Sequence, residues 1–104
     1  YNEKKIKEKN EKNKITKKII NSIFNYNYEE VRDNIYELST KNVEKSEIIN
    51  LIFNKLMKCE IDDDLKMKIT GLASKYSARL AKCNKEIIQI EAFSFECMSL
   101  FITE

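Results

Sequence analysis

The chain has 104 residues and a mass of 12.3 kDa, enough for one small domain that buries roughly 60–65% of the surface its unfolded chain exposes. Hydrophobic types at 42% and charged types at 35% are the mix of a soluble globular protein, and 19 basic against 17 acidic residues leave a formal charge of +2, too small to argue by itself for a nucleic-acid or acidic partner. The lack of histidine removes histidine acid–base catalysis and the commonest zinc ligand, one glycine excludes a phosphate-cradling loop, and the lack of proline speaks against a turn-rich β architecture.

The first stretch is basic. Tyr1–Lys18 carries eight lysines and three glutamates, while the remainder holds eleven basic and fourteen acidic residues. Residues 1–14 are expected to be a basic polar linker or a frayed helix start, solvated rather than laid on DNA phosphates, because Ile6 is the only aliphatic side chain before Ile15. Residues 15–104 are expected to form the helical domain. The chain opens on Tyr1 rather than methionine and reads as a piece of something longer.

The spacing of Ile15, Ile19 and Ile23, with Ile20 and Phe24 beside them, predicts a first helix over about Lys12–Phe24. Asn25–Tyr26–Asn27 is a turn, and Asn27 is placed to cap a second helix, with Glu30 as its reciprocal partner. That helix, Tyr28–Leu38, carries Val31, Ile35 and Leu38 on one stripe, with the Tyr28 and Tyr36 rings expected to pack alongside. A third helix from about Glu44 to Cys59 presents Ile48, Ile49, Ile52, Phe53 and Leu56; isoleucine is a modest helix former, so packing must hold it.

Asp62–Asp63–Asp64 reads as the start of a fourth helix, with Asp62 as the cap, because carboxylates suit the exposed N–H groups there. The triplet lacks the further spaced oxygens of a calcium loop. This helix, about Asp63–Lys82, is expected to be the longest, with Leu65, Ile69, Leu72, Tyr76 and Leu80 on its stripe. Gly71 in its middle implies either close approach of another helix backbone or a merely exposed site.

A fifth helix is expected over about Lys85–Phe101, capped by Asn84, or by Cys83 paired with Glu86. It carries two apolar stripes, one of Ile87, Ile90, Ser94, Met98 and Phe101, the other of Ile88, Ala92, Phe95 and Ile102. One packed face does not account for both, so the helix is central in the bundle or partly covered by another subunit.

Cys59, Cys83 and Cys97 have neither metal-ligand nor disulfide spacing and read as free thiols. No uninterrupted apolar run reaches the ~18 residues of a membrane span, and no apolar signal segment opens the chain. No nucleotide-binding loop, metalloprotease motif or nucleophile–base constellation is present, so catalysis is not expected of these residues. Arg32 and Arg79, the only arginines, fall at solvent-side or rim positions, either as ordinary surface ion pairs or as interface anchors. The tyrosine and phenylalanine rings lie at core spacing next to acids rather than among dense positive charge, so they read as packing, not base stacking.

Three stretches carry a family resemblance. They are Phe24–Asn25–Tyr26–Asn27–Tyr28–Glu29–Glu30–Val31 running into Ile35–Tyr36–Glu37–Leu38; Ser46–Glu47–Ile48–Ile49 with the Ile61–Asp62–Asp63–Asp64–Leu65–Lys66 restart; and Ala73 through Arg79–Leu80–Ala81 into Asn84–Lys85–Glu86–Ile87–Ile88–Gln89–Ile90–Glu91–Ala92–Phe93. Together they span about Ile15–Phe101, and they resemble the C-terminal domain of the small subunits of replication factor C, the eukaryotic and archaeal sliding-clamp loader. Cys83 stands where that family often has a small residue such as glycine, and the first fourteen residues match nothing in it.

The resemblance implies an all-α, clamp-loader collar-like bundle that assembles five subunits into a ring, in the nucleus. Its partners would be sister clamp-loader subunits and, through the full complex, the sliding clamp and primer–template DNA, with no membrane. ATP and Mg would belong to upstream AAA+ modules, leaving this chain with no cofactor, no metal and no catalytic residue. Candidate interface residues are Arg79, Ile90, Phe93, Phe95, Met98 and Phe101, and Phe93→Asp is expected to block assembly while the fold persists. Two other readings of the same residues are a helical interaction module that grips a partner helix in a groove and a small helical DNA-binding domain.

Overall fold

Five α-helices in chain order build the protein in a computed structural model that describes residues 2–102: α1 Asn2–Phe24, α2 Tyr28–Ser39, α3 Lys45–Met57, α4 Asp63–Leu80 and α5 Glu86–Ile102. The expected all-α fold is the observed one. The starts of α2 and α4 fall where the sequence places them, α3 and α4 end two residues early, and α5 starts one residue late, after Lys85 rather than Asn84.

The largest departure is α1, which begins ten residues before the expected Lys12 and, with 23 residues, is longer than the 18-residue α4. Its amino-terminal half is lysine- and glutamate-rich with no glycine or proline, and both residues are good helix formers. Helix already nucleated on the core by Ile15, Ile19, Ile20 and Ile23 propagates through such a segment at little cost. A search for apolar stripes is blind to this, because residues 9–14 carry no apolar side chain.

The α1–α2 turn uses a Schellman closure. Tyr26 N–H donates to the Ile23 carbonyl (3.1 Å) and Asn27 N–H to the Ser22 carbonyl (3.0 Å), with Tyr26 left-handed at φ 56°. Asn27 then caps α2, its side-chain oxygen accepting from the Glu30 N–H at 3.2 Å. The reciprocal half of the capping box does not form, for Glu30 turns back to within 3.3 Å of the Ser22 oxygen, whose one proton it shares with the nearer Lys18 carbonyl at 2.9 Å. Asn34 also donates to Ser22 (3.2 Å), so a polar knot joins α1 to α2. Asp62 occupies the cap position of α4 as expected but makes no side-chain capping hydrogen bond.

α5 touches all four other helices, whereas α4 meets only α3 and α5. Fully buried Ile19, Ile23, Ile35, Leu38, Ile48, Ile49, Ile52, Leu56, Ile69, Ile90, Phe93 and Met98 form the centre of the core. Buried Thr16, Ser22 and Ser94 return their hydroxyls to the carbonyls of Lys12, Lys18 and Ile90, so none is left unpaired.

Gly71 is exposed, and a Cβ added there would meet nothing within 4 Å. The domain's own packing therefore does not require it, and Gly71→Ala is expected to stabilise the fold by about 0.5–1 kcal/mol through the helix propensity gained. Thermal denaturation followed by circular dichroism should show the melting temperature rising by a few degrees.

Cys97 is fully buried on α5, and burial, with the neighbouring Glu96 charge adding to it, pushes its thiol from 9.0 up to about 12. The folded state thus keeps a proton that the unfolded chain loses, so the stability this thiol contributes is full below pH 9 and fades as the pH climbs from 9 towards 12. Thiol titration of the native protein should count Cys59 and Cys83, both half-buried, and reach Cys97 only when denaturant is added. Prompt native labelling of Cys97 would contradict this burial.

Candidate subunit interface

The fifth helix resolves into two faces. Ile90, Ser94, Cys97 and Met98 point into the bundle and are fully buried, flanked by half-buried Ile87 and Phe101. The other stripe points outward: Ile88 is 50% exposed and Ile102 56%, with half-buried Ala92 and Phe95 between them. Ile88, Phe95 and Ile102 recur seven apart, as do Ala92 and exposed Ser99. That alternation of four and three is the spacing by which one helix seats another.

Two aromatic contacts widen this seam. The Tyr28 ring at the start of α2 meets Phe95 edge-on at 5.1 Å, and Phe24 at the end of α1 lies 5.0 Å from Phe101. Phe24, Tyr26 and Tyr28 are all exposed, so α1's end, α2's start and α5's outer stripe form one apolar region. Of the large exposed hydrophobic side chains, Met67 on α4 lies apart from these elements. Tyr36, expected to pack beside α2's stripe, is instead 66% exposed.

Charge flanks the seam on the α2 side. Arg32 reaches from α2 to Glu91 on α5 at 3.6 Å. Glu29, Arg32, Asp33, Tyr36 and Glu91 line a shallow depression there. On the α4 side, the Tyr76 hydroxyl donates to Glu96 at 2.7 Å, and Glu96 also pairs with Lys75 at 3.5 Å. Burial, then the Glu96 acceptor and its charge, hold the Tyr76 phenol above its ordinary 10.0.

The six residues expected at the interface therefore divide. Ile90, Phe93 and Met98 are fully buried in the domain's own core and leave no surface for a partner. α5 is central, touching the other four helices, and the stripe through fully buried Ile90 and Met98 is its inner one. Phe95 and Phe101 lie half-buried at the aromatic region. Arg79 is exposed on the last turn of α4, its guanidinium 5.2 Å over the Tyr76 ring, and is not joined to that region. Ile88, Ile102, Phe24 and Tyr28 belong to the surface and were not among the six. Seven-residue spacing was the signal for the first two; Phe24 and Tyr28 could be placed only once α1 and α2 were docked on α5.

Among the described residues, no group of three or more Cys, Asp or Glu side chains is placed to hold a metal ion, and no helix is long and apolar enough to cross a membrane.

Residues 9–103 match the family described as "Replication factor C subunit 3, C-terminal domain". The chain belongs to that replication factor C family. Among curated proteins it is 36% identical over 66 residues to a protein of Acanthamoeba polyphaga mimivirus described as a replication factor C small subunit. That match covers 64% of this chain and 18% of the viral protein's length. No solved structure gives a significant match. The replication factor C family match takes in all of α2 to α5 and most of α1, and so includes the whole aromatic region and the outer seam.

Proposed function

We propose that this replication factor C domain works as a clamp-loader collar, holding its parent protein in a ring of sister subunits through the outer seam of α5. The observation that carries the reading is that stripe. A helix already surrounded by four others still presents Ile88, Ala92, Phe95 and Ile102 to solvent at helix-docking spacing. Leaving such side chains wet forgoes about 25 cal/mol for each Å² of apolar surface that a partner could cover. The association cost decides how much of that appears as affinity, so a ring contact does not require the isolated domain to oligomerise.

On this reading the domain is not itself catalytic. ATP and Mg act in upstream AAA+ modules of the parent, and the assembled loader places a sliding clamp on primer–template DNA in the nucleus. Direct DNA binding by this domain has less support. A DNA-reading helix needs dense positive charge, whereas α2 and α5 are acidic and α3 and α4 only weakly basic, with Lys68 paired to Asp64 and Lys75 to Glu96.

The test is co-expression of the full-length parent with the other replication factor C subunits of its source, followed by size-exclusion chromatography. The parent is expected to elute in one complex with them. Elution of a folded parent apart from all of its sisters would contradict the reading.

A further inference from the structure

We propose that the occupant of the α5 seam is an amphipathic helix of the neighbouring subunit whose flank is basic, and that Glu29 and Asp33 of α2 receive that flank. This rests on the assembly reading above and specifies the partner's chemistry.

The seam itself sets the shape of the occupant. Ile88, Phe95 and Ile102 lie along two heptads, about 21 Å at 1.5 Å per residue, with the smaller Ala92 and Ser99 between them. Large and small residues alternating at that spacing form the holes into which the knobs of a second helix fit. A strand or an irregular segment would not match the repeat.

Charge sets the flank. Glu91, one turn from both Ile88 and Phe95, carries the seam over to α2, where it pairs with Arg32. That pair uses up the cation in the depression. Glu29 and Asp33, on the same face of α2 as Arg32, have no side-chain hydrogen bond or ion pair among the described residues, and both are exposed. The exposed Tyr36 ring closes the same depression. Two unpaired carboxylates beside an aromatic face attract a lysine or arginine both by charge and by cation–π contact. A neighbour with an acidic flank would meet like charge there, so the arrangement also discriminates between candidate helices.

The experiment uses the full-length parent with its sister subunits, capturing complexes through a tag on a sister and measuring affinity and association rate at several salt concentrations. Glu29→Lys with Asp33→Lys alters only exposed side chains, and circular dichroism should confirm a native fold. This variant is expected to bind at least tenfold more weakly, with slower association and a flattened salt dependence. The neutral pair Glu29→Gln with Asp33→Asn should fall between it and the native protein.

If the reversed variant binds within twofold of native while Phe95→Asp does not bind, the charged flank is wrong and the seam stands. If Phe95→Asp also binds like native, the seam is not the contact. If the parent alone self-associates and Phe95→Asp abolishes it, the occupant is a second copy and the inference is overturned. Failure of the native parent to join its sisters would instead overturn the assembly reading.

Discussion

Phe93→Asp is expected to unfold the domain. Phe93 is fully buried, its ring 6.3 Å from that of Tyr76, in the layer between α4 and α5. Truncating a buried phenylalanine to alanine costs about 3–5 kcal/mol. Placing a carboxylate in the same apolar space adds a further few kcal/mol for desolvation or protonation. A domain of this size is stable by only about 5–15 kcal/mol, so the sum consumes most or all of it. Far-UV circular dichroism should show lost helical signal or a collapsed melting transition. The sequence expectation that this variant would spare the fold and block assembly is thus replaced by loss of the fold. Retention of a native melting curve would mean that Phe93 is not where the structure puts it.

Phe95→Asp, two residues further on, should do the reverse. Phe95 faces outward against Tyr28, so its loss removes an aromatic pair of about 0.5–1.5 kcal/mol together with part of its burial. That leaves a folded domain. At the centre of the seam, however, an aromatic anchor typically contributes 2 kcal/mol or more to an interface, and a carboxylate there would be buried unpaired by the partner. Association with sister subunits is expected to weaken by about thirtyfold or more, measured by titration against them. Ile88→Asp, at a half-exposed position one heptad away, should act in the same direction with less effect on stability. Native affinity in both variants would remove the seam from the interface.

The fold was largely legible because α2 to α5 each announce themselves by an apolar stripe, and α2 and α4 also by the residue at their start. Val31, Ile35 and Leu38 mark α2's inner face, and Asn27 marks its start. The amino-terminal half of α1 was illegible to the same reasoning, since a run of lysine, glutamate and asparagine carries no apolar stripe. The candidate interface was half legible. Both stripes on α5 were readable, but periodicity alone is symmetric between them. Only the docking of α1 to α4 around α5 makes Ile90 and Met98 inner and Ile88 and Ile102 outer. Gly71 shows the same boundary. Its cost was evident from the sequence, whereas the open space above it was not.

Hydroxyl-radical footprinting of the full-length parent, free and assembled with its sister subunits, tests the central claim most directly. Ile88, Phe95 and Ile102 should be oxidised in the free protein and protected in the complex, while Met67, 74% exposed on α4 and away from the seam, stays equally reactive in both. Unchanged oxidation of the three seam residues with protection of Met67 would contradict the account and move the contact to α4.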